Sequence, residues 1–147
     1  MSLTVDANLL LYASDDDSPF HDRAVALLDE IATGPEIVYL FWPTVMAYLR
    51  IATHPAIFAR PLSHGDARAN VEMLLGLPHV HTAGEDESFW RRFVEVADDA
   101  MPTGNLVPDA HIVGLMLANG VPTIWSRDRD YRKFRGIRVR DPFTAAS

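Results

Sequence analysis

Three aspartates in this chain of 147 residues have the chemistry and the placement of metal ligands: Asp6, Asp109 and Asp128. Asp6 closes an apolar run near the N-terminus, Asp109 opens an apolar stretch after a proline, and Asp128 follows another apolar run. In a parallel α/β sheet, strand ends and helix starts lie along the edge where ligands bind. Carboxylates gathered there repel one another unless a cation lies among them, and Mg²⁺ or Mn²⁺ takes oxygen ligands of this kind. The first hypothesis is therefore a metal-dependent site for phosphate chemistry.

Each aspartate also has a structural interpretation. Asp6 could be the N-cap of a helix that starts near Ala7, which is a common role for aspartate. Asp109 lies in the first turn of a predicted helix, where the helix dipole stabilises an anion whatever its function. Asp128 and Asp130 could belong to a charged surface turn. Taken singly, none of these acids indicates a site, whereas their expected convergence on one edge of the sheet does.

Polar neighbours of the acids have two possible roles each. Asn8 could orient Asp6 or donate to a phosphate, although a solvent-facing position in the first helical turn is favoured. Ser126 could bind near a phosphate, or it could hold Asp128 in place. His111 could assist proton transfer, but a histidine in this position is more often a partly buried structural residue.

The distribution of charge bears on the substrate. A net charge of −7 argues against a nucleic-acid partner, yet seven of the 13 basic residues fall between positions 127 and 140, around and after the third carboxylate. They are Arg127, Arg129, Arg132, Lys133, Arg135, Arg138 and Arg140. A cationic strip beside an acidic metal pocket suits a phosphodiester substrate. A solvated surface, or a docking patch for an acidic partner, explains the strip equally well.

Strand-like and helix-like segments alternate along the chain, and these elements must position the acids. The predicted strands are residues 3–5, 37–41, 79–82, 121–125 and 137–139. The predicted helices are residues 7–13, 20–32, 43–53, 64–75, 85–100 and 108–120, with one further turn over 130–134. Strands separated by helices predict a three-layer α/β/α fold with a mostly parallel central sheet. The length favours one domain over residues 1–147.

Composition excludes several other classes of protein. No apolar run approaches the roughly 20 residues that a membrane helix needs. No basic region precedes the short N-terminal apolar run, so a secretory signal is not expected. Without cysteine the chain forms neither a disulfide nor a thiolate metal site. A cytoplasmic location is the expectation.

Four segments, three of which hold these acids, resemble the motifs of a known family. They are residues 5–10, 41–55, 104–110 and 123–131, and they follow one another at domain spacing over nearly the whole chain. In that order they resemble the PIN-domain ribonucleases found as VapC toxins in type II toxin–antitoxin modules. The resemblance implies a PIN-like fold and an Mg²⁺- or Mn²⁺-dependent endoribonuclease that cleaves structured RNA such as tRNA or rRNA. It also implies a homodimer and a cognate VapB-like antitoxin.

The resemblance assigns expected roles to residues of this chain. Asp6, Asp109 and Asp128 would be catalytic and would hold the ion, directly or through water. Asp130 would orient a water or bind a second ion. The predicted substrate-binding residues are Asn8, Ser126, Arg127, Arg129 and Arg132.

One departure from the family pattern leaves alternatives open. Members often carry a glutamate three residues before the arginine of the second motif, and here that position is Ala47. A PIN-like module that binds RNA or protein without cutting is therefore an alternative. A phosphatase of the haloacid-dehalogenase type also begins with an aspartate after its first strand. That class expects a second aspartate where Asn8 stands and a catalytic lysine, whereas the sole lysine here is Lys133.

Overall fold

Five short parallel strands form the centre of the molecule. The computed structural model describes residues 1–144, so the last three residues of the predicted domain lie outside the described part. The strands are β1 (Ser2–Val5), β2 (Ile37–Phe41), β3 (Val80–Ala83), β4 (Thr123–Trp125) and β5 (Arg138–Arg140). Their order across the sheet is β3-β2-β1-β4-β5, with every pairing parallel. The order reverses between β1 and β4, and ligands bind in open α/β sheets outside the carboxyl ends of such strands.

Helices cover both faces of this sheet. They are α1 (Ala7–Ser14), α2 (His21–Thr33), α3 (Trp42–Ala52), α4 (His64–Leu75), α5 (Phe89–Ala100) and α6 (Leu106–Ala118). A 3₁₀ helix, Arg129–Lys133, follows β4. None of the helices in residues 1–144 is both long and apolar enough to cross a lipid bilayer.

The alternation of side chains along the strands produces the two outer layers. Leu3 and Val5 of β1 join the apolar cluster that includes α1 to α4, whereas Tyr39 and Phe41 of β2 join the cluster that includes α5 and α6. Successive residues of a strand point to opposite faces, so β2 supplies both clusters, with Val38 and Leu40 in the first and Tyr39 and Phe41 in the second. The predicted three-layer α/β/α fold with a parallel sheet is confirmed.

Local signals in the sequence correctly predicted where one helix begins and where another ends. Ser63 accepts a hydrogen bond from the Asp66 amide at 3.0 Å and caps α4. Gly120 follows α6 with φ of +66°, a conformation that glycine adopts at little cost. The next amide, that of Val121, donates to the carbonyl of Met116 at 2.9 Å, which completes a Schellman motif.

Two predicted helix starts were wrong. The helix predicted from Glu85 begins at Phe89, because the Asp86 carboxylate accepts from the amide and hydroxyl of Ser88 and folds the preceding residues into a turn. The helix predicted from Pro108 begins two residues earlier, at Leu106. A proline fits the first turn because its missing N–H has no partner there. Asp109 remains in the first turn of α6.

Tyr48 links three helices in the interior. It is 2% exposed, and its hydroxyl forms a hydrogen bond of 2.7 Å with the Ser14 hydroxyl and accepts one of 3.0 Å from the Asn70 amide. The three residues belong to α3, α1 and α4. Tyr48 is thus a core residue that supplies no ligand to the site.

Tyr48→Phe is expected to lower the free energy of unfolding by about 1–2 kcal/mol, because two partly buried polar groups lose their partner. Urea unfolding at pH 7 measures this loss. Ser14→Ala serves as the matched variant, and the double mutant should lose less than the sum of the two single losses. An unchanged urea midpoint for Tyr48→Phe would contradict the assigned role.

Candidate functional site

Asp6 and Ser126 lie side by side at the carboxyl ends of the two strands where the sheet order reverses. Asp6 is the first residue after β1 and Ser126 the first after β4. The Asp6 amide donates to the carbonyl of Trp125 at 3.0 Å, which extends the strand pairing by one step. Ser126 is 1% exposed, so its hydroxyl requires partners within the protein.

A chain of hydrogen bonds runs from this serine through the acidic segments. The Ser126 hydroxyl donates to Oδ2 of Asp6 at 2.8 Å and accepts from the Asp128 amide at 2.9 Å. Oδ1 of Asp128 in turn accepts from the Asp130 amide at 2.9 Å and caps the 3₁₀ helix. The geometry supports the predicted alternative in which Ser126 holds Asp128 in place.

Three of the four predicted metal ligands form a compact set. Carboxylate oxygens of Asp109, Asp128 and Asp130 lie within 4.8 Å of one another. Within residues 1–144, these three side chains form the group that is close enough to hold one metal ion together. Asp109 comes from α6, while the other two follow β4, so tertiary packing brings them together. Asp130 also forms an ion pair of 2.9 Å with Lys133.

Asp6 is adjacent to this set but does not belong to it. It occupies the N-cap position of α1 without making a side-chain capping hydrogen bond, and its carboxylate accepts from Ser126 instead. Burial is the main cause that raises the pKa of Asp6, and repulsion from Asp128 adds to it. The hydrogen bond from Ser126 acts in the opposite direction. The backbone amides of Asn8 and Ala7, in the first turn of α1, also lower the pKa of Asp6, so its carboxylate faces the start of the helix as well as the acids.

The pKa of Asp109 shows how crowded the acids are. Burial, followed by repulsion from Asp128, Asp6 and Asp130, raises the pKa of Asp109 to about 6. A hydrogen bond with the Tyr131 hydroxyl lowers the pKa and offsets part of the rise. Burial also raises the pKa of Tyr131, so its phenol stays protonated and remains a donor. A cation among the acids would remove the repulsion.

The donor set fits a hard divalent cation. All of its ligand atoms are carboxylate oxygens, which suit Mg²⁺ and Mn²⁺, and Mg²⁺ usually retains several waters beside one or two carboxylates. Three acids from the chain are therefore sufficient in number. No cysteine or histidine belongs to the set, so a softer metal has no preferred ligand in it.

An arginine-lined cleft lies next to the acids. It has a volume of about 280 Å³ and is lined by Ser126, Arg127, Asp128, Arg129, Arg132, Asp141 and Thr144. Other members of the basic strip have different partners, since Lys133 pairs with Asp130 and Arg135 with Asp99. The fold thus separates the strip, and the three arginines predicted to bind substrate line one cleft together.

The remaining candidates lie apart from the acidic set. Asn8 is exposed in the first turn of α1, which agrees with the favoured interpretation of this residue. His111 pairs with Glu85 and contacts the ring of Phe89 edge-on, so it faces the segment before α5. Ala47 is half-buried in α3 and supplies no acid.

Two contributions to the site carried no recognised signal in the sequence. Tyr131 was part of the fourth motif but had no predicted role, and an aromatic residue three positions after Asp128 is the only sign of its contact with Asp109. Asp141 and Thr144 reach the cleft from beyond β5. Their position depends on how the chain returns after its last strand, which local sequence does not determine.

Comparison with known proteins decides the family. The chain is 49% identical over 144 residues to ribonuclease VapC48 of Mycobacterium tuberculosis, covering 98% of this chain and 99% of that protein. It is 33% identical over 140 residues to VapC ribonuclease Mb2897 of Mycobacterium bovis, covering 95% of each. The chain belongs to the VapC family of ribonucleases. This confirms the predicted family and enzyme class and removes the haloacid-dehalogenase alternative. No protein-family model matches the chain.

Solved structures of VapC proteins share the fold. VapBC2 from Rickettsia felis, bound to a DNA fragment from its promoter, superimposes with a TM-score of 0.69 at 12% identity over 96% of this chain and 98% of that chain. VapC20 of Mycobacterium tuberculosis, a toxin that cleaves the sarcin–ricin loop, has a TM-score of 0.67 at 16% identity over 92% and 98%. At these identities the likeness establishes the architecture of the VapC fold in this chain.

Asp109→Asn is expected to stabilise the metal-free protein at pH 7. Because the folded state raises the pKa of Asp109 from 3.8 to about 6, it binds a proton more tightly than the unfolded chain does. The stability from this group is therefore fully present below pH 4 and is lost as the pH rises through 6. After allowance for solvent screening, the gain at pH 7 is about 1 kcal/mol, or a rise of roughly 4 °C in Tm.

Thermal melts in EDTA at pH 4 and pH 7 measure this effect. The variant and the parent should differ less at pH 4 than at pH 7. Asp29→Asn, on the exposed surface of α2, is the control for the loss of one charge. A variant that melts below the parent at pH 7 would show that the acids do not repel one another.

Ser126→Ala is expected to lower the free energy of unfolding by about 1–3 kcal/mol, since the Asp6 carboxylate and the Asp128 amide both lose a buried partner. Asp6→Ala alone should keep the fold, because it removes one crowded carboxylate. The double variant should therefore lose less free energy of unfolding than the sum of the losses of the two single variants. Strictly additive losses in guanidinium unfolding would count against the hydrogen-bonded connection.

Proposed function

We propose that this protein is a metal-dependent endoribonuclease, the toxin of a type II toxin–antitoxin system, which hydrolyses phosphodiester bonds of structured RNA such as tRNA or rRNA. The observation that carries the proposal is the set of Asp109, Asp128 and Asp130 within 4.8 Å, directly beside a cleft lined by three arginines. A cation site and a phosphate-binding surface in contact are what hydrolysis of an RNA backbone requires.

Asp109, Asp128 and Asp130 would hold the Mg²⁺ or Mn²⁺ ion, with Asp6 contributing directly or through water. When bound, the ion supplies an acidified water as nucleophile and neutralises charge on the phosphate. The residues of the chain prepare this site. Ser126 orients the carboxylate of Asp6 and the segment of Asp128, so little rearrangement is needed on metal binding.

The arginines provide the contacts to RNA. Arg127, Arg129 and Arg132 line the cleft, and none of them forms an ion pair with an acid among residues 1–144. Their guanidinium groups are therefore available for bidentate contacts to phosphates on either side of the cut. Exposed Asn8 can donate to the same backbone. A shallow cleft suits looped or single-stranded RNA, whose bases and backbone are accessible.

The partner of this toxin is a VapB-like antitoxin, and both act in the cytoplasm where tRNA and ribosomes are found. The VapBC2 complex from Rickettsia felis supports the first statement. We further propose a homodimer. Exposed apolar side chains on α3 and α5 support it, namely Trp42, Met46, Trp90 and Val94. Exposed apolar side chains commonly mark protein–protein contacts.

Ala47 favours a second candidate, a module that binds RNA or protein without cleaving it. The half-buried methyl group supplies no oxygen to an ion, so the metal shell of this chain has one acid fewer than the family pattern. The three clustered aspartates favour the enzyme, because the smaller shell of protein ligands leaves room for waters that Mg²⁺ retains readily.

A cleavage assay distinguishes the two candidates. Purified protein, freed of antitoxin, is incubated with total tRNA or rRNA and with Mg²⁺ or Mn²⁺, in parallel with EDTA. Cleavage should require metal and should fall by roughly 100-fold or more in Asp109→Asn and Asp128→Asn. Asp29→Asn should retain parental activity. RNA binding without cleavage, unchanged when Ala47→Glu restores the acid, would establish the module and overturn the enzyme.

A further inference from the structure

Phe20 lies directly beneath one of the cleft arginines. The guanidinium carbon of Arg127 is 4.3 Å from the centroid of the Phe20 ring, well within the range of a cation–π contact. Phe20 stands immediately before α2, and Arg127 immediately after β4 and Ser126. The two residues are distant in sequence, so the fold alone creates this stacking.

The ring of Phe20 is itself held in place by other aromatic side chains. Its centroid lies 5.0 Å from that of Tyr12 and 4.8 Å from that of Phe143, and the last two meet edge-on at 5.6 Å. The Phe20 amide also donates to the Ser18 hydroxyl at 3.1 Å. The three rings pack on one another and form an aromatic platform, so the position of the Phe20 ring depends on both neighbours.

The same platform anchors the far wall of the cleft. Nε of Arg23 donates to the carbonyl of Pro142 at 2.9 Å, which ties the segment after β5 to α2. The Phe143 amide donates to Oδ1 of Asp141 at 2.9 Å, and the Thr144 hydroxyl donates to the Asp141 carbonyl at 3.0 Å. Asp141 and Thr144 line the cleft together with the arginines. Phe143, which lies between them in sequence, packs on the Phe20 ring, so the aromatic platform contacts both segments that line the cleft.

Stacking on an aromatic face leaves an arginine ready to bind phosphate. The ring contacts the flat face of the guanidinium, so the N–H groups in its plane stay free for a bidentate contact. Two acids in the cleft, Asp128 and Asp141, could compete for Arg127, but it forms an ion pair with neither. Holding the side chain on the ring therefore keeps its donors open and lowers the entropy lost on binding.

We propose that Phe20 is a positioning residue for RNA: its ring holds the Arg127 guanidinium at the wall of the cleft, where Arg127 binds a phosphate adjacent to the one that is cleaved. This inference rests on the proposed function for the identity of the ligand. It assigns to the segment before α2 a role in substrate affinity that does not involve the acids. Phe20 acts through Arg127 and does not contact the reacting phosphate.

Two substitutions separate the proposed role from simple packing. Phe20→Leu retains an apolar side chain but removes the aromatic face, whereas Phe20→Tyr retains the face. Affinity is measured by fluorescence anisotropy with a labelled 20-nucleotide single-stranded RNA in EDTA, so that binding is read without cleavage. Phe20→Leu should raise Kd roughly fivefold, and Phe20→Tyr should stay within about twofold of the parent.

Arg127→Gln supplies the decisive comparison. This change should weaken RNA binding by itself, and adding Phe20→Leu to it should have no further effect, because the ring then has no guanidinium to hold. Arg135→Gln is the matched control for the loss of one positive charge, since Arg135 pairs with Asp99 outside the cleft. Arg127→Lys gives a second test that leaves Phe20 intact. It keeps the charge but loses the planar stacking, and it should show a weakened affinity between those of the parent and Arg127→Gln.

The outcomes can be told apart from a failure of the proposed function. If the parent protein binds this RNA and does not cleave any RNA with Mn²⁺, the enzyme proposal fails while the binding comparison still decides the role of Phe20. Where cleavage is present, Phe20→Leu should raise KM and leave kcat unchanged. A Phe20→Leu effect that persists in the Arg127→Gln background, equal affinity of Phe20→Leu and the parent, or affinity of Arg127→Lys equal to the parent's would each overturn the inference.

Discussion

Repulsion among carboxylates at one end of the sheet is the constraint around which this site is built. Asp6, Asp109, Asp128 and Asp130 come from separate parts of the chain, and the raised pKa of Asp109 records the cost of placing them together in a half-buried position. Unfavourable local arrangements of this kind are expected at functional sites. A cation attracts each of the neighbouring carboxylates and so outweighs the repulsion among them. The arrangement that destabilises the metal-free protein therefore favours metal binding.

The backbone around the acids limits that cost through hydrogen bonds. Ser126 donates to Asp6 and accepts from the Asp128 amide, and Asp128 accepts from the next amide but one. Each bond therefore satisfies a buried polar group and also orients a carboxylate. Asp109 gains a different form of support in the first turn of α6, where the helix dipole favours an anion. The acids are held by the elements that create the sheet edge, which makes the site rigid before any ligand arrives.

Opposite charges lie next to each other at this end of the molecule. The chain as a whole carries −7, yet three arginines without ion pairs in residues 1–144 line the cleft beside the acids. Under the proposed function, the overall negative charge would keep nonspecific binding of RNA weak, while the arginine-lined cleft would hold a phosphate near the cation site. The platform formed by Phe20, Tyr12 and Phe143 adds geometry to this electrostatic pattern, because it fixes where one arginine presents its donors.

The sequence by itself determined the alternation of strands and helices, the stop at Gly120, the cap at Ser63 and the three acidic segments, because hydrophobic period, capping and backbone preference act within a few residues. The sequence did not predict the start of α5 at Phe89, because acidic residues before a helix are compatible both with its first turn and with the turn that Asp86 forms.

Only the tertiary structure decided which acids share a ligand-sized space, that Asp6 stands beside them on Ser126, and that Phe20 meets Arg127. Asp109 and Asp128 are 19 positions apart in the chain, Phe20 and Arg127 are 107 apart, and Asp6 and Ser126 are 120 apart. The geometry of these contacts follows from strand order and from the packing of helices on the sheet. Local propensities carry no information about these distances, because each distance depends on the path of the whole chain.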